Sequence, residues 1–202
     1  MATTYAELLT EIEDEAKRPD LTATIPRFVL HAESRLNRDK RLRKMRQMES
    51  SADITINSQE EALPSDFLQV RRLYVTSDPK TLIHYMEPHV FWGSFAGSAT
   101  GKPTAYTIEG SNLVFGKAPD ATYTGKLSYI AKLPALVTNS TNWLLDLHSD
   151  IYLYASLIAL AHHTRDDKYL ATVAQMYEAA MGSLKNDDRY GGSLRYIPKV
   201  SP

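Results

Sequence analysis

The sequence predicts an α+β fold: a four-helix body with an antiparallel β domain inserted between its second and third helices. Apolar residues recur at helical spacing near both ends of the chain, whereas residues from about 50 to 131 form short runs of β-forming side chains. Turn residues separate these runs at short intervals. The predicted boundaries are 1–49 for the first two helices, 50–134 for the β domain, 135–190 for the last two helices and 191–202 for an extended C-terminal arm.

The length and composition are those of a globular protein with its own hydrophobic core. The chain has 202 residues, of which 43% are hydrophobic and 23% are charged. It contains no cysteine, which excludes disulfide bonds and thiolate metal sites. Because no apolar run approaches the length of a bilayer span and the N-terminus lacks signal-peptide features, we expect a soluble protein made and used without secretion.

The first two helices are predicted from their apolar stripes. The first begins with a capping box at 4–7, and its acidic residues face away from the stripe Tyr5, Leu8, Ile12 and Ala16. The second is expected to start near Thr22, with its apolar face at Ile25, Phe28, Val29, Ala32 and Leu36. The stripe then stops, and we expect the end of this helix to leave the body of its own subunit.

A basic segment at 35–46 is the feature that most clearly indicates a binding partner. Seven basic side chains stand there against one acid, Asp39, and they point in nearly every direction around a helix axis. Phosphate-rich nucleic acid is one candidate partner, and the acidic first helix of a neighbouring subunit is another. No aromatic residue lies between Phe28 and Phe67, so the stacking platforms of single-strand binders are missing and protein contacts are favoured. DNA contact stays open if the segment lines a channel.

The middle of the chain is read as strands and loops. Residues 109–112 predict a hairpin turn, and residues 93–103, with three glycines, predict a loop. The strand-forming runs are 53–56, 67–75, 82–86, 106–108, 113–115 and 123–130.

Two helices and an arm complete the chain. Residues 149–164 carry so broad an apolar surface that a central helix is expected, and Asp166 or Asp167 caps a last helix that Gly191-Gly192 ends. The arm beyond is more apolar than a free tail needs, which predicts docking to another protein or to an adjacent subunit. Packing back onto its own helices is the alternative.

Motifs for catalysis or cofactor binding fail on their spacing. Residues 97–103 contain the Gly-Lys step of a phosphate loop, but Ala96 stands where the first glycine is needed and Pro103 replaces the hydroxyl residue. Residues 148–150 hold the three side-chain types of a hydrolase triad but splay apart on a helix, and a His162 and Asp166 pair lacks a third metal ligand. We therefore predict no catalytic, cofactor or metal site, and no enzyme.

Several short motifs, in order, carry a resemblance to a known family. They are Ala32-Glu33-Ser34-Arg35-Leu36-Asn37-Arg38 with Leu42-Arg43, Leu63-Pro64-Ser65-Asp66-Phe67-Leu68 with Arg72-Leu73, Gly101-Lys102-Pro103 ahead of Tyr106, Asn142-Trp143-Leu144-Leu145, and Asp150-Ile151-Tyr152-Leu153-Tyr154-Ala155. Together they resemble the head-to-tail adaptors of tailed bacteriophages, including those similar to podovirus tail tubular protein A.

The resemblance implies a virion structural protein, located at the head–tail interface and assembled in the host cytoplasm. It implies a ring of twelve subunits that binds the portal protein on one side and tail or nozzle proteins on the other, with genomic DNA passing through and no membrane or small-molecule substrate involved. Under this resemblance the subunit or portal contacts are Arg35, Arg38, Arg41 and Arg43, and the portal-docking arm is carried by Leu194, Arg195, Tyr196 and Ile197.

Two other functions remain open at this point. The first is a nucleic-acid-binding module that uses the basic helix at 35–46, and the second is a hydrolase built from dispersed carboxylates. The adaptor predicts rings, the binding module predicts salt-sensitive DNA affinity, and the hydrolase predicts turnover.

Overall fold

The computed structural model describes residues 2–77, 79–95, 97 and 100–191, with side chains described as far as Leu184. These residues form two compact units. The helical unit comprises the described residues of Met1–Gln47 and Leu133–Pro202, and the β unit comprises those of Met48–Lys132. The predicted mixed α+β class is confirmed.

The helices are α1 Tyr5–Ala16, α2 Ile25–Arg38, α3 Pro88–Ser94, α4 Leu136–Asn139, α5 Trp143–Leu147, α6 Ser149–Thr164 and α7 Asp167–Gly191. The strands are β1 Glu49–Ile56, β2 Glu60–Ala62, β3 Phe67–Val75, β4 Thr81–Tyr85, β5 Ala105–Glu109, β6 Asn112–Phe115 and β7 Tyr123–Ala131.

The helical unit is organised around α6, which packs against α1, α2, α5 and α7. The broad apolar surface of α6 explains this central place, because it can be covered only from several sides. α1 begins as its capping box predicts: the Glu7 backbone N–H donates to Thr4 Oγ1 at 3.3 Å, and the Glu7 carboxylate accepts from the Thr4 N–H at 3.1 Å. Asp166 caps α7 by accepting from the Tyr169 N–H at 3.0 Å.

The chain returns to the helical unit at 133, where polar side chains of α2 receive its backbone. Asn37 Oδ1 accepts from the Leu133 N–H at 2.9 Å, and Glu33 Oε1 accepts from the Leu136 N–H at 2.8 Å. Glu33 and Asn37 are four residues apart, so they lie on one face of α2. That face therefore fixes the backbone of the returning chain.

Asn142 holds the next turn of the returning chain. Its Oδ1 caps α5 by accepting from the N–H groups of Leu144 and Leu145, at 3.2 and 3.0 Å. Its Nδ2 donates to the Pro134 carbonyl at 2.9 Å and to the buried Tyr152 hydroxyl at 2.8 Å. One buried amide thus ties the start of α5 to α6 and to the loop before α4.

The β unit is a seven-stranded sheet within its described residues, in the order β1-β7-β3-β4-β5-β6-β2. The predicted hairpin at 109–112 is present, since Glu109 pairs with Asn112 and Gly110 takes a positive φ of 59°. The side chains that form the core are Ile56, Leu73, Val75, Ile83, Tyr106, Leu113, Phe115, Leu127 and Tyr129.

Two features of the β unit differ from the prediction. It is not wholly antiparallel, because β4 and β5 run parallel, with His84 opposite Ala105 and Tyr85 opposite Tyr106. The connection between them contains α3, and a crossover of this kind brings the chain back in the same direction. The short polar strand β2 was also not predicted, because its side chains are exposed or half-buried and it is held in the sheet by pairing with β6.

We expect Asn142→Ala to destabilise the helical unit by about 2–4 kcal/mol, because it removes a helix cap and leaves the buried Tyr152 hydroxyl without its donor. Tyr152→Phe is the matched control, since it removes the hydroxyl but keeps the cap, and it should cost about 1 kcal/mol. Urea denaturation followed by circular dichroism measures both. Equal losses for the two variants would contradict the role assigned to the cap.

Candidate interaction surface

The predicted helix through residue 46 is wrong, because α2 ends at Arg38. The Asp39 backbone is extended, with φ −70° and ψ 122°, and short 3-10 turns follow at Leu42–Lys44 and Arg46–Met48. The Arg41 N–H donates to Asp39 Oδ1 at 2.8 Å. An aspartate side chain that takes up a nearby backbone N–H competes with the helical hydrogen bond, which explains the break.

The sequence predicts that the basic segment leaves the body of its own subunit, and this prediction is also wrong. Leu42 and Met45 are buried, so apolar side chains beyond Leu36 still pack into the core of the helical unit. This packing was missed because the break after Arg38 shifts these residues off the stripe that a continuous helix would present. The segment is therefore partly a structural element of the helical unit.

Arg41 is the centre of an ionic cluster within the helical unit. Its Nη2 lies 2.8 Å from Asp39 Oδ2, and its Nη1 lies 2.6 Å from Glu178 Oε2 on α7. Further hydrogen bonds run from Nε to Asp39 and from Nη2 to Glu178 Oε1, so the guanidinium meets both carboxylates with two nitrogens. This fork geometry is the strongest form of a carboxylate–arginine contact.

The charges of the cluster shift the pKa values of its members. Partial burial acts to raise the pKa of Asp39, but hydrogen bonds and charge from Arg41 outweigh it and hold that pKa below its ordinary value. The hydrogen bond from Arg41 likewise lowers the pKa of Glu178. Burial, together with the charge of Asp39, raises the pKa of Tyr177 to about 12. The cluster is therefore ionised at neutral pH, with a neutral tyrosine beneath it.

The four arginines predicted as contact residues occupy different environments. The guanidinium carbons of Arg35 and Arg41 lie 5.9 and 6.0 Å from the centre of the Tyr177 ring, so these two are brought together. The exposed Arg38 donates from Nε to the Ser34 carbonyl, and the half-buried Arg43 donates from Nε to the Asn37 carbonyl. Their role in subunit or portal contact stays a prediction.

Sequence reasoning missed the acidic partner of Arg41. Glu178 is separated from Arg41 by 137 residues, and no local pattern relates the two. The four arm residues Leu194, Arg195, Tyr196 and Ile197 lie outside the described residues, so their docking role also stays a prediction.

The described residues offer no metal centre: no group of three or more His, Asp or Glu side chains is placed to hold an ion. In the same part of the chain, no helix is both long and apolar enough to cross a membrane.

The motifs that carry the family resemblance are structural. Glu33 and Asn37 receive the returning chain, and Asn142 caps α5. In the β unit, the Asp66 carboxylate accepts from the Tyr129 hydroxyl at 3.0 Å and its carbonyl accepts from the Lys132 N–H at 2.6 Å. These residues therefore hold the backbone of the two units in place.

We expect Arg41→Gln to lower the free energy of unfolding by about 1–3 kcal/mol at pH 7, because it leaves the partly buried Asp39 carboxylate without its cation. Arg38→Gln is the matched control and should change it by less than about 0.5 kcal/mol. Because the pKa values of Asp39 and Glu178 are lowered in the folded state, the stability they contribute is present above about pH 4 and is lost as the pH falls further. Urea titrations at pH 7 and pH 3 test this, and a gap between wild type and Arg41→Gln that stays constant would contradict it.

Comparison with known proteins gives one clear result. The model of the SU10 adaptor protein family matches residues 3–196, which runs from just before α1 into the arm. No curated protein matches the chain. The likeness to podovirus tail tubular protein A stays a prediction. The match covers nearly all of both units and agrees with the structural role of the motifs: the chain belongs to the SU10 adaptor protein family, the structural head-to-tail adaptors of phages.

Proposed function

We propose that the chain is the subunit of a closed ring of twelve copies that attaches to the portal and provides the platform for tail proteins. The observation that carries this proposal is the family match over residues 3–196. An adaptor between head and tail must contact both, and the genome must cross it on leaving the head. We therefore propose a central channel for genomic DNA in this ring.

The distribution of charge in the helical unit supports a contact between neighbouring copies. Asp14 and Glu15 of α1 are exposed, as are Lys40 and Lys44 of the basic segment. Within the described residues none of these four forms an ion pair with another side chain of its own subunit. Opposite charges that stay unpaired on one unit can pair between units, which suits a ring built from one repeated head-to-tail contact.

The proposal includes the architecture expected from the sequence. In it, α1, α2, α6 and α7 form a four-helix body, and the β unit is an insertion between α2 and the returning chain. The packing of α1, α2 and α7 against α6 supports this arrangement. So does the path of the chain, which leaves the helical unit after Gln47 and rejoins it at Leu133.

The structure also bears on the nucleic-acid-binding alternative. A basic helix at 35–46 is absent, since α2 ends at Arg38. Two cations of this segment are engaged elsewhere: Arg41 with carboxylates, and Arg43 with the Asn37 carbonyl. Arg38, Lys40 and Lys44 remain exposed, and we assign them to protein contacts.

We expect the purified protein to form rings, alone at high concentration or when mixed with its portal, and we expect twelve subunits in each. Negative-stain imaging counts the subunits, and native mass measurement gives the mass. Because the proposed contacts are between exposed charges, the rings should dissociate as ionic strength rises. A protein that stays monomeric, or forms only twofold dimers, with and without portal would refute the ring.

We expect Arg38→Glu combined with Lys44→Glu to weaken ring formation while changing the melting temperature by less than about 3 °C, since exposed charges contribute little to folding. Arg71→Glu combined with Lys80→Glu makes the same change of net charge in the β unit and serves as the control. If the first pair leaves the rings intact but abolishes salt-sensitive DNA affinity in a gel-shift assay, the nucleic-acid-binding function is favoured instead.

A further inference from the structure

An apolar pocket of 310 Å³ lies in the helical unit, between the start of α1, the first half of α2 and the region of α4. Two of its side chains are strongly exposed: Leu30 is 58% exposed and Val137 is 73% exposed. Large exposed apolar side chains around a concave site are typical of a binding surface. The apolar part of the lining is Tyr5, Pro26, Val29, Leu30, Ala135 and Val137.

Glu33 lines the same pocket and gives it a charge preference. Its side chain is only 9% exposed, and Oε1 is used by the Leu136 N–H. No basic side chain among the described residues forms an ion pair with it, although Arg27 also lines the pocket. Burial raises the pKa of Glu33. A buried carboxylate without a cation is costly, so the pocket fits a ligand that combines apolar side chains with one positive charge.

The arm of this protein has that chemistry. Residues 194–197 read Leu-Arg-Tyr-Ile, which is one arginine among three large apolar or aromatic side chains. We propose that the pocket binds residues 194–197 of a second copy, with Arg195 pairing with Glu33 and the neighbouring apolar side chains covering Leu30 and Val137. This inference rests on the proposed ring, because each copy would donate its arm to the next.

The direction of the helices explains why the arm comes from a second copy. The Phe28 ring on α2 lies 5.4 Å from the His163 ring near the end of α6, so α2 begins where α6 ends. α7 begins at the same end, after a tight turn at Arg165. Both α2 and α7 therefore run back along α6, and Tyr177 has already reached the level of Arg35.

The length of the arm favours a pocket on another copy over the pocket of its own subunit. Gly191 ends α7 fourteen residues after Tyr177, which is about 21 Å further along the helix and away from the first half of α2. The four residues from 191 to 195 span at most about 14 Å. Even when this segment is fully extended towards the pocket, residue 195 stays at least about 7 Å beyond Tyr177 along α7, so we assign the Arg195 that meets Glu33 to a neighbouring subunit.

Cross-linking between two singly labelled proteins tests the inference, because the natural chain has no cysteine. Val137→Cys puts a thiol at the exposed edge of the pocket, and Ser193→Cys puts one beside the proposed contact without removing any of its four residues. The two full-length variants are mixed under assembling conditions and treated with a short bis-maleimide. We expect cross-linked dimers in the mixture and none with either variant alone.

Glu33→Gln tests the charge. The glutamine keeps an oxygen for the Leu136 N–H, so the fold should be retained, as circular dichroism would verify. In the Val137→Cys protein this change should weaken the contact about tenfold, the effect of losing one partly buried ion pair. The matched control is Glu49→Gln, an exposed glutamate of the β unit, which should leave the yield unchanged.

Each outcome decides the inference. Rings that form without the cross-link overturn the assignment of the arm and leave the proposed function standing, whereas the absence of both overturns the two together. If portal is added and the Ser193→Cys protein is cross-linked to portal and not to the Val137→Cys subunit, the inference is also overturned. The same holds if a double variant with Val137→Cys and Ser193→Cys is cross-linked only within its own chain. If Glu33→Gln leaves the yield of cross-linked dimer unchanged, the proposed ion pair between Glu33 and Arg195 is wrong.

Discussion

The helical unit must receive its own chain in mid-sequence, because 85 residues of the β unit separate Gln47 from Leu133. A returning chain brings backbone N–H groups into a region with little water, and each of them needs a partner. Glu33 and Asn37 on one face of α2 supply two such partners, and Asn142 supplies the cap of α5. Asn142 also connects this junction to α6, because it donates to the hydroxyl of Tyr152.

The need to satisfy the backbone of the returning chain explains the structural role of several residues in the family motifs. Glu33, Asn37, Asp66 and Asn142 each make a hydrogen bond inside one unit, and none of the four side chains is strongly exposed. Such residues hold the backbone and the helix ends of their own unit in place.

Elements that depend on local chemistry could be predicted from the sequence. The capping box at Thr4, the stripe that buries Leu8 and Ile12, and the hairpin at Gly110 each need only neighbouring residues. The end of α2 was not predictable from periodicity, because it depends on one hydrogen bond that the Arg41 N–H donates to Asp39 Oδ1. The direction of β5 was not predictable either, since strand-forming composition is the same for parallel and antiparallel pairs.

The candidate surface was predictable in composition but not in arrangement. Counting charges located the basic segment, yet it could not separate Arg41, which binds two carboxylates, from Arg38, which stays exposed. The partner on α7 is distant in sequence, and the burial of Glu33 depends on the returning chain. Both features depend on tertiary structure, so they could not be predicted from the pattern of charges along the sequence.

The parallel pairing of β4 with β5 has a consequence for where the chain can accept inserted residues. The connection between the two strands is pinned at both ends, by the His84 N–H on the Thr104 carbonyl at 3.0 Å and the Met86 N–H on the Tyr106 carbonyl at 2.9 Å. Near its middle, Gly93 and Gly97 have open space around them. Gly93 lies inside α3, which buries Phe91, but residues inserted at Gly97 would leave both α3 and the register of the two strands unchanged. A fluorescent or affinity tag can therefore be carried at Gly97 without altering the sheet.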